Sequence, residues 1–268
     1  MSHYYDTSGN PVYEVPKASG KGMKETTLRE ARLLNLVPSV TTIISEAASP
    51  GLTQYYYDQI LEAVLSTDLK KPDGSNLDQI TIWKQQLIVD AKQHAAIAAK
   101  KGNEIHDALE DYYSPKVKEN KMLDFVLPVT EFLNKKFGFG FISEKSFSHN
   151  NGFGGKVDLH APNLIIDFKT KPDKAFEKGL TQYDNHYMQL AAYRLGLQLP
   201  DAECYNLFIS NETPGKFKLL PEVWNPEEEQ KVQKGEKMFL ALLQYHQLKT
   251  GHVVNKKLFG KSDEKTKA

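Results

Sequence analysis

The chain changes its hydrophobic period near Phe141. Before that point apolar residues recur at helical spacing, and after it they alternate with polar ones every second residue. "FISEKSFSH", "GGKVDLH" and "LIIDFKT" read as three strands. The short connections "NNGF" and "APN" between them imply an antiparallel meander. A helix is predicted over "TQYDNHYMQLAAYRLGL", then a strand at "AECYNLFIS" and another in "GKFKLLPEVW". The last helix has explicit stops: Asn225 as N-cap, Pro226 in the first turn, Glu228 closing a capping box and Gly251 as terminator. The second half therefore reads βββαββα, an α/β (α+β) fold with a mixed central sheet flanked by helices.

Helices dominate the first half. "HYYDTSGNPVYEV" reads as strand, turn, strand, and "VPSVTTIISEA" as a short helix capped by Ser39 or Thr41. The free N–H groups of that helix suit a phosphate as well as a plain cap. Residues 52–65 and 77–113 are helical by pattern, with a loop at Pro72-Asp73-Gly74-Ser75 and a break at Gly102. "MLDFVLPVTEFLNKKFG" is a further helix, restarting at Pro128. The organisation expected is an N-terminal hairpin and helical region over 1–100, a core over 101–255, and a basic, frayed tail over 256–268.

Composition narrows the options. Forty per cent hydrophobic and 25% charged residues over 268 positions suit a globular chain with an ordinary core. Lys and Arg balance Asp and Glu at 34 each, so any polyanion surface must be local. The single cysteine, Cys204, excludes an intrachain disulfide and an iron–sulfur cluster built by this chain alone. No apolar run is long enough to span a bilayer and the N-terminus lacks a signal-peptide pattern, so a cytoplasmic protein without a membrane partner is expected.

Three charges interrupt the strands of "GFGGKVDLHAPNLIIDFKTKPD". Asp158 sits in one strand, Asp167 and Lys169 in the next, and the turn Ala161-Pro162-Asn163 folds them back to back. Asp167 and Lys169 are two apart and share a face. Two carboxylates and an ammonium at one spot suit Mg²⁺ or Mn²⁺, with the Phe168 carbonyl as a further oxygen ligand. Lys169 would then orient or deprotonate a water, or neutralise charge on a phosphate. A cross-strand ion pair is the plainer reading of an isolated D-x-K. The flanks weigh against it: Gly154-Gly155 allows close approach of a substrate backbone, and Gln189 and Tyr193 lie four apart on one helical face.

"GGKVDL…LIIDFKT" resembles the PD-(D/E)xK nuclease motif. "QLAAY" resembles the Q-x-x-x-Y motif of its RecB-like and Cas4-like branch, and "KGNEIHDALE" the upstream G-x-x-x-H-x-x-x-E helix of that branch. "TLREARLLNLVPSVTTII" is similar to the opening of phage-encoded exonucleases and mitochondrial genome-maintenance exonucleases. The resemblance implies a restriction-endonuclease-like core, with His106, Asp158, Asp167 and the Phe168 carbonyl holding one or two Mg²⁺ or Mn²⁺ ions. Asp158, Asp167 and Lys169 would be catalytic. Gln189, Tyr193, Thr170 and Ser39 would serve the substrate side, with Glu110 and Glu144 as further candidates, although Glu144 reads more plainly as an exposed strand charge.

The activity so implied is metal-dependent DNA exonuclease action in phage or cellular recombination, replication or repair, in the cytoplasm of a bacterium or an infected host. Its partners would be DNA ends or single strands and a single-strand annealing or binding protein. A structure-dependent endonuclease and a catalytically weak DNA-binding recombination protein are the alternatives. Lys92, Lys100, Lys101, Lys171 and Lys174 are candidate phosphate contacts, though each also reads as a solvated lysine. Tyr55, Tyr56 and Tyr57 suit base stacking as well as packing, and the helices over 52–113 suit an arch over the site.

Overall fold

The computed structural model describes residues 3–47, 50–66, 70–74, 76–114 and 122–259. The predicted Ser75 loop position and most of the basic tail lie outside them. The N-terminal region carries β1 (Tyr4–Tyr5), β2 (Glu14–Pro16), β3 (Met23–Glu25), α1 (Leu28–Leu34), β4 (Val37–Pro38) and α2 (Val40–Ile44). Strand β1 pairs with β4 and β2 with β3, all antiparallel. Thr27 and Glu30 close a capping box on α1. Two longer helices follow, α3 (Pro50–Ser66) and α4 (Leu77–Tyr113), then α5 (Leu123–Phe137).

The centre of the molecule is a five-stranded mixed sheet in the order β5 (Ile142–His149), β6 (Phe153–Ala161), β7 (Leu164–Lys171), β8 (Glu203–Ser210), β9 (Phe217–Leu220). The first three strands form the expected meander, with Ala161 opposite Leu164 across the Pro162-Asn163 turn. Strand β8 runs parallel to β7, which requires a crossover. The short α6 (Asp173–Glu177) and α7 (Asp184–Leu197) supply it. Strand β9 closes the far edge antiparallel to β8, and α8 (Pro226–Thr250) ends the core.

Two apolar layers enclose the sheet. On one face Val157 and Ile165 meet Met188 and Leu190 of α7 and Phe239 and Leu243 of α8. On the other, Leu159, Ile166 and Phe168 meet Ile105 and Leu109 of α4 and Val129 and Leu133 of α5. Helix α2 joins the first layer, and Ser39 bridges to Gly154 of β6. The whole is a mixed α/β fold with helices on both faces and a helical N-terminal portion.

Four local expectations change. Helix α4 runs unbroken through Gly102. That glycine is there for closeness, since a Cβ would lie 2.5 Å from the Thr170 hydroxyl oxygen. Helix α5 is continuous from Leu123 through Pro128. Asn225 caps α8 by accepting from the Glu227 and Glu228 N–H groups, but Glu228 does not close a capping box. Its carboxylate accepts from the Tyr187 hydroxyl at 3.0 Å and from Lys231 at 2.7 Å. Finally, Gly154 and Gly155 do not leave room for a substrate backbone. Tyr5, Phe147 and Tyr193 of the chain itself fill the space beside them.

Helix α8 crosses α7 at Gly235, where a Cβ would stand 2.6 Å from the Tyr187 backbone carbonyl. Neither backbone can yield without moving a helix. We expect Gly235→Ala to destabilise the protein by roughly 1–3 kcal/mol through overpacking. Helix propensity alone would favour alanine by about 1 kcal/mol. Urea denaturation therefore reads the sign directly, and a stabilised variant would show that the helices are not in contact there.

Candidate active site

Asp158 stands where the pleat of β6 changes phase. Val157 and Leu159 are two residues apart, yet they face opposite layers of the core. A regular strand would put them on one side. Directly across β5 the matching residue, Glu144, has a φ of +55° inside a strand. Left-handed backbone at a non-glycine residue is unfavourable and marks a locally constrained position. The β6–β7 ladder stops at Leu159 opposite Ile166, so Asp158 and Asp167 face each other just beyond the last paired residues. There the Asp158 Oδ2 accepts the Phe168 N–H at 2.7 Å, in place of a backbone partner.

Strand β7 is regular, and its period places Ile165, Asp167 and Lys169 toward α7. Lys169 Nζ lies 2.5 Å from Asp167 Oδ2 and donates to Gln189 Oε1 at 2.9 Å. Gln189 Nε2 in turn donates to the Tyr193 hydroxyl at 2.7 Å. The Q-x-x-x-Y spacing thus puts one amide between the lysine and a buried tyrosine. Burial, with the negative charges of Asp167 and Asp158, holds the Tyr193 hydroxyl protonated far above the usual range.

The remaining candidates are placed as follows. His106 projects from α4, its Nδ1 3.8 Å from Asp158 Oδ2 and its ring edge-on to Phe168. Burial lowers its pKa to about 4, so it is a neutral imidazole with a lone pair to offer. Thr170 packs on Gly102 of the same helix. Glu110 lies one turn beyond His106, and its carbonyl accepts from the Ser143 hydroxyl at 3.3 Å. Glu144 is paired with Lys156. Ser39 caps α2, accepting from the Thr42 N–H at 3.0 Å. Lys171 is partly buried near Lys169, while Lys92, Lys100, Lys101 and Lys174 are exposed. Tyr55, Tyr56 and Tyr57 are exposed on α3, away from the apolar seam that α3 forms with α4 around Ala63, Leu87 and Ala91.

Two residues of the site went unread in the sequence. Asn206, fully buried in β8, donates from Nδ2 to Asp167 Oδ2 at 2.8 Å, and Gln182 Nε2 donates to Asn206 Oδ1 at 2.9 Å. The available signal was an amide in the otherwise apolar run "CYNLFIS". A buried amide needs partners.

The donor chemistry fits a hard divalent cation. Two carboxylates share one ammonium, and burial together with the Asp167 charge pushes the Asp158 pKa up to about 7. A cation between them would hold both ionised. Among the described residues no three His, Cys, Asp or Glu side chains close on a single point. Few protein donors, mostly oxygens, match an ion such as Mg²⁺ that keeps several waters.

No protein-family model matches the chain. No curated protein matches it either. Among solved structures it resembles an alkaline exonuclease from Laribacter hongkongensis, at 13% identity over 47% of this chain and 69% of that one, with a TM-score of 0.28. It also resembles a phage-related exonuclease from Haemophilus somnus 129PT, at 15% identity over 56% and 82% of the two chains, with a TM-score of 0.26. These likenesses are partial, so the functional reading rests on the residues of the site. No helix among the described residues is long and apolar enough to cross a membrane.

The charge imbalance has a pH signature. A carboxyl raised from 3.8 to about 7 stabilises the fold fully at low pH, and that contribution is lost as the pH rises through its folded value. Asp158→Asn keeps an acceptor for the Phe168 N–H and removes the charge. In EDTA, the Tm of Asp158→Asn relative to wild type should rise between about pH 4 and about pH 7. A difference independent of pH would mean that Asp158 carries no such strain.

Proposed function

We propose that the protein is a divalent-metal-dependent deoxyribonuclease that hydrolyses DNA phosphodiester bonds from ends. The observation that carries this reading is the meeting of Asp158, Asp167, Lys169 and Gln189 where β6 parts from β7. It draws further support from the resemblance of the strand and helix motifs to PD-(D/E)xK nucleases of the RecB-like branch. Asp158, Asp167 and the Phe168 carbonyl would hold Mg²⁺ or Mn²⁺, with the neutral His106 beside them. Such an ion supplies charge neutralisation on a phosphate oxygen and a more acidic water.

Lys169 has three N–H bonds, of which Asp167 and Gln189 take two. The third is free to orient a water or to meet charge on a non-bridging oxygen. Gln189, anchored on Tyr193, fixes where Nζ stands. Lys171, one strand period beyond Lys169, adds local positive charge to a chain of zero net charge. The α3–α4 hairpin, with its exposed tyrosines, is the element suited to guide a single strand toward the site. Recombination, replication or repair of phage or cellular DNA is the setting this activity would serve.

Digestion of 5′- and 3′-labelled single- and double-stranded DNA with Mg²⁺ or Mn²⁺ tests the reading. Wild type should shorten labelled ends, and Asp167→Ala and Lys169→Ala should each be slower by about a thousandfold. The nuclease reading fails if wild type leaves DNA intact or if both variants match it. Circular single strands should resist. Equal rates on circular and linear DNA would replace end-dependent action with endonuclease action.

A further inference from the structure

We propose that Asn206 and Gln182 are positioning residues that turn Asp167 so that one particular oxygen is offered to a cation. This rests on the nuclease-site reading above. Among the described residues both polar contacts of Asp167, from Lys169 Nζ at 2.5 Å and Asn206 Nδ2 at 2.8 Å, fall on Oδ2. Asp158 is held in the same way, its Phe168 N–H contact falling on Oδ2. In each carboxylate the second oxygen is left to the site.

Asn206 can do this only in one orientation. It lies directly beside Asp167 in the parallel β7–β8 register and is fully buried. Turned over, its Oδ1 would face the carboxylate, two acceptors in contact with no proton between them. Gln182, just ahead of α7, prevents the flip by donating its own N–H to Asn206 Oδ1. The other end of Gln182, Oε1, faces the Tyr187 hydroxyl at 3.3 Å, and that hydroxyl also lies 3.0 Å from Glu228 Oε2 on α8. Tyr187 has a single proton for the two acceptors. Two amides, Gln182 and then Asn206, thus donate one after the other toward Asp167.

The test is Mn²⁺ binding to the full chain by titration calorimetry without DNA, on wild type, Asn206→Leu and Gln182→Met. Circular dichroism establishes that each is folded. Both substitutions keep side-chain size and remove the amide. We expect each to weaken Mn²⁺ binding about 10–100-fold, as loss of a group that orients a metal ligand does. On DNA, kcat should fall while KM stays, because neither residue touches substrate. Gln182 is the less buried, so Gln182→Met decides the matter if Asn206→Leu does not fold. Asp158→Ala separates the two readings. If wild type binds no Mn²⁺, or Asp158→Ala binds as well as wild type, the metal-site reading fails and this inference with it. If Asp158→Ala loses binding but folded Gln182→Met binds like wild type, the positioning role alone is overturned.

Discussion

Two carboxylates on adjacent strands, with one ammonium to share, are the constraint around which this molecule is arranged. Like charges side by side in a low-dielectric interior raise each other's energy, and burial adds to it. The fold meets that cost locally. Asp158 takes a backbone N–H that the β-ladder would otherwise use. Asp167 takes a lysine and an asparagine on one oxygen. The ladder between β6 and β7 ends at the same place. Loss of strand pairing, a left-handed residue in β5 and a raised carboxyl pKa coincide at this point of the sheet. Proteins tolerate such conflict where it serves a site.

Rigidity around the conflict comes from close backbone approach. Gly155 and Gly196 leave space for the Phe147 ring, which stacks edge-on against Tyr193. Gly235 lets α8 lie on the Tyr187 backbone. Helix α7 is therefore pinned from both sides, and Gln189 and Tyr193 ride on it. Across the sheet, Gly102 brings α4 against Thr170, which sets His106 beside Asp158. The glycines fix distances of the site although none is polar. Held between Asp167 and Gln189, Lys169 Nζ has few positions to sample.

The five strands, α7 and α8 of βββαββα were legible because the period of two is a strong signal and the turns are short, while the short α6 is an addition to that order. Asp167 and Lys169 were legible for the same reason, since β7 is regular. Asp158 was legible by its proximity to Asp167 but not in its geometry. Counting by twos puts Val157 and Leu159 on one face, and the phase break that separates them lies opposite a glutamate with φ of +55°. Glutamate is not a residue that announces such a conformation. Gly102 signals a helix break by pattern and proves to be a close contact, because glycine marks both and only the partner distinguishes them. Asn206 is not legible in the sequence because one amide in an apolar strand carries no spacing pattern. Its partners come from residues 24 and 39 positions away.

Net charge says little about a polyanion partner here, because charge acts locally. Lys169 and Lys171 project from the end of one strand, and Lys156 from its neighbour acts on the Asp158 field. Burial, and then Lys169, lower the Lys171 pKa. Cations crowded this way repel one another and are less favourable than if dispersed. An anion placed among them relieves both the crowding and part of the desolvation. Lys169 and Lys156 are paired with Asp167 and Glu144, so Lys171 is the cation of the three whose charge an added anion would offset. On the proposed nuclease reading, a metal-bound phosphodiester would bring a cation to the two carboxylates and an anion to Lys171 at once.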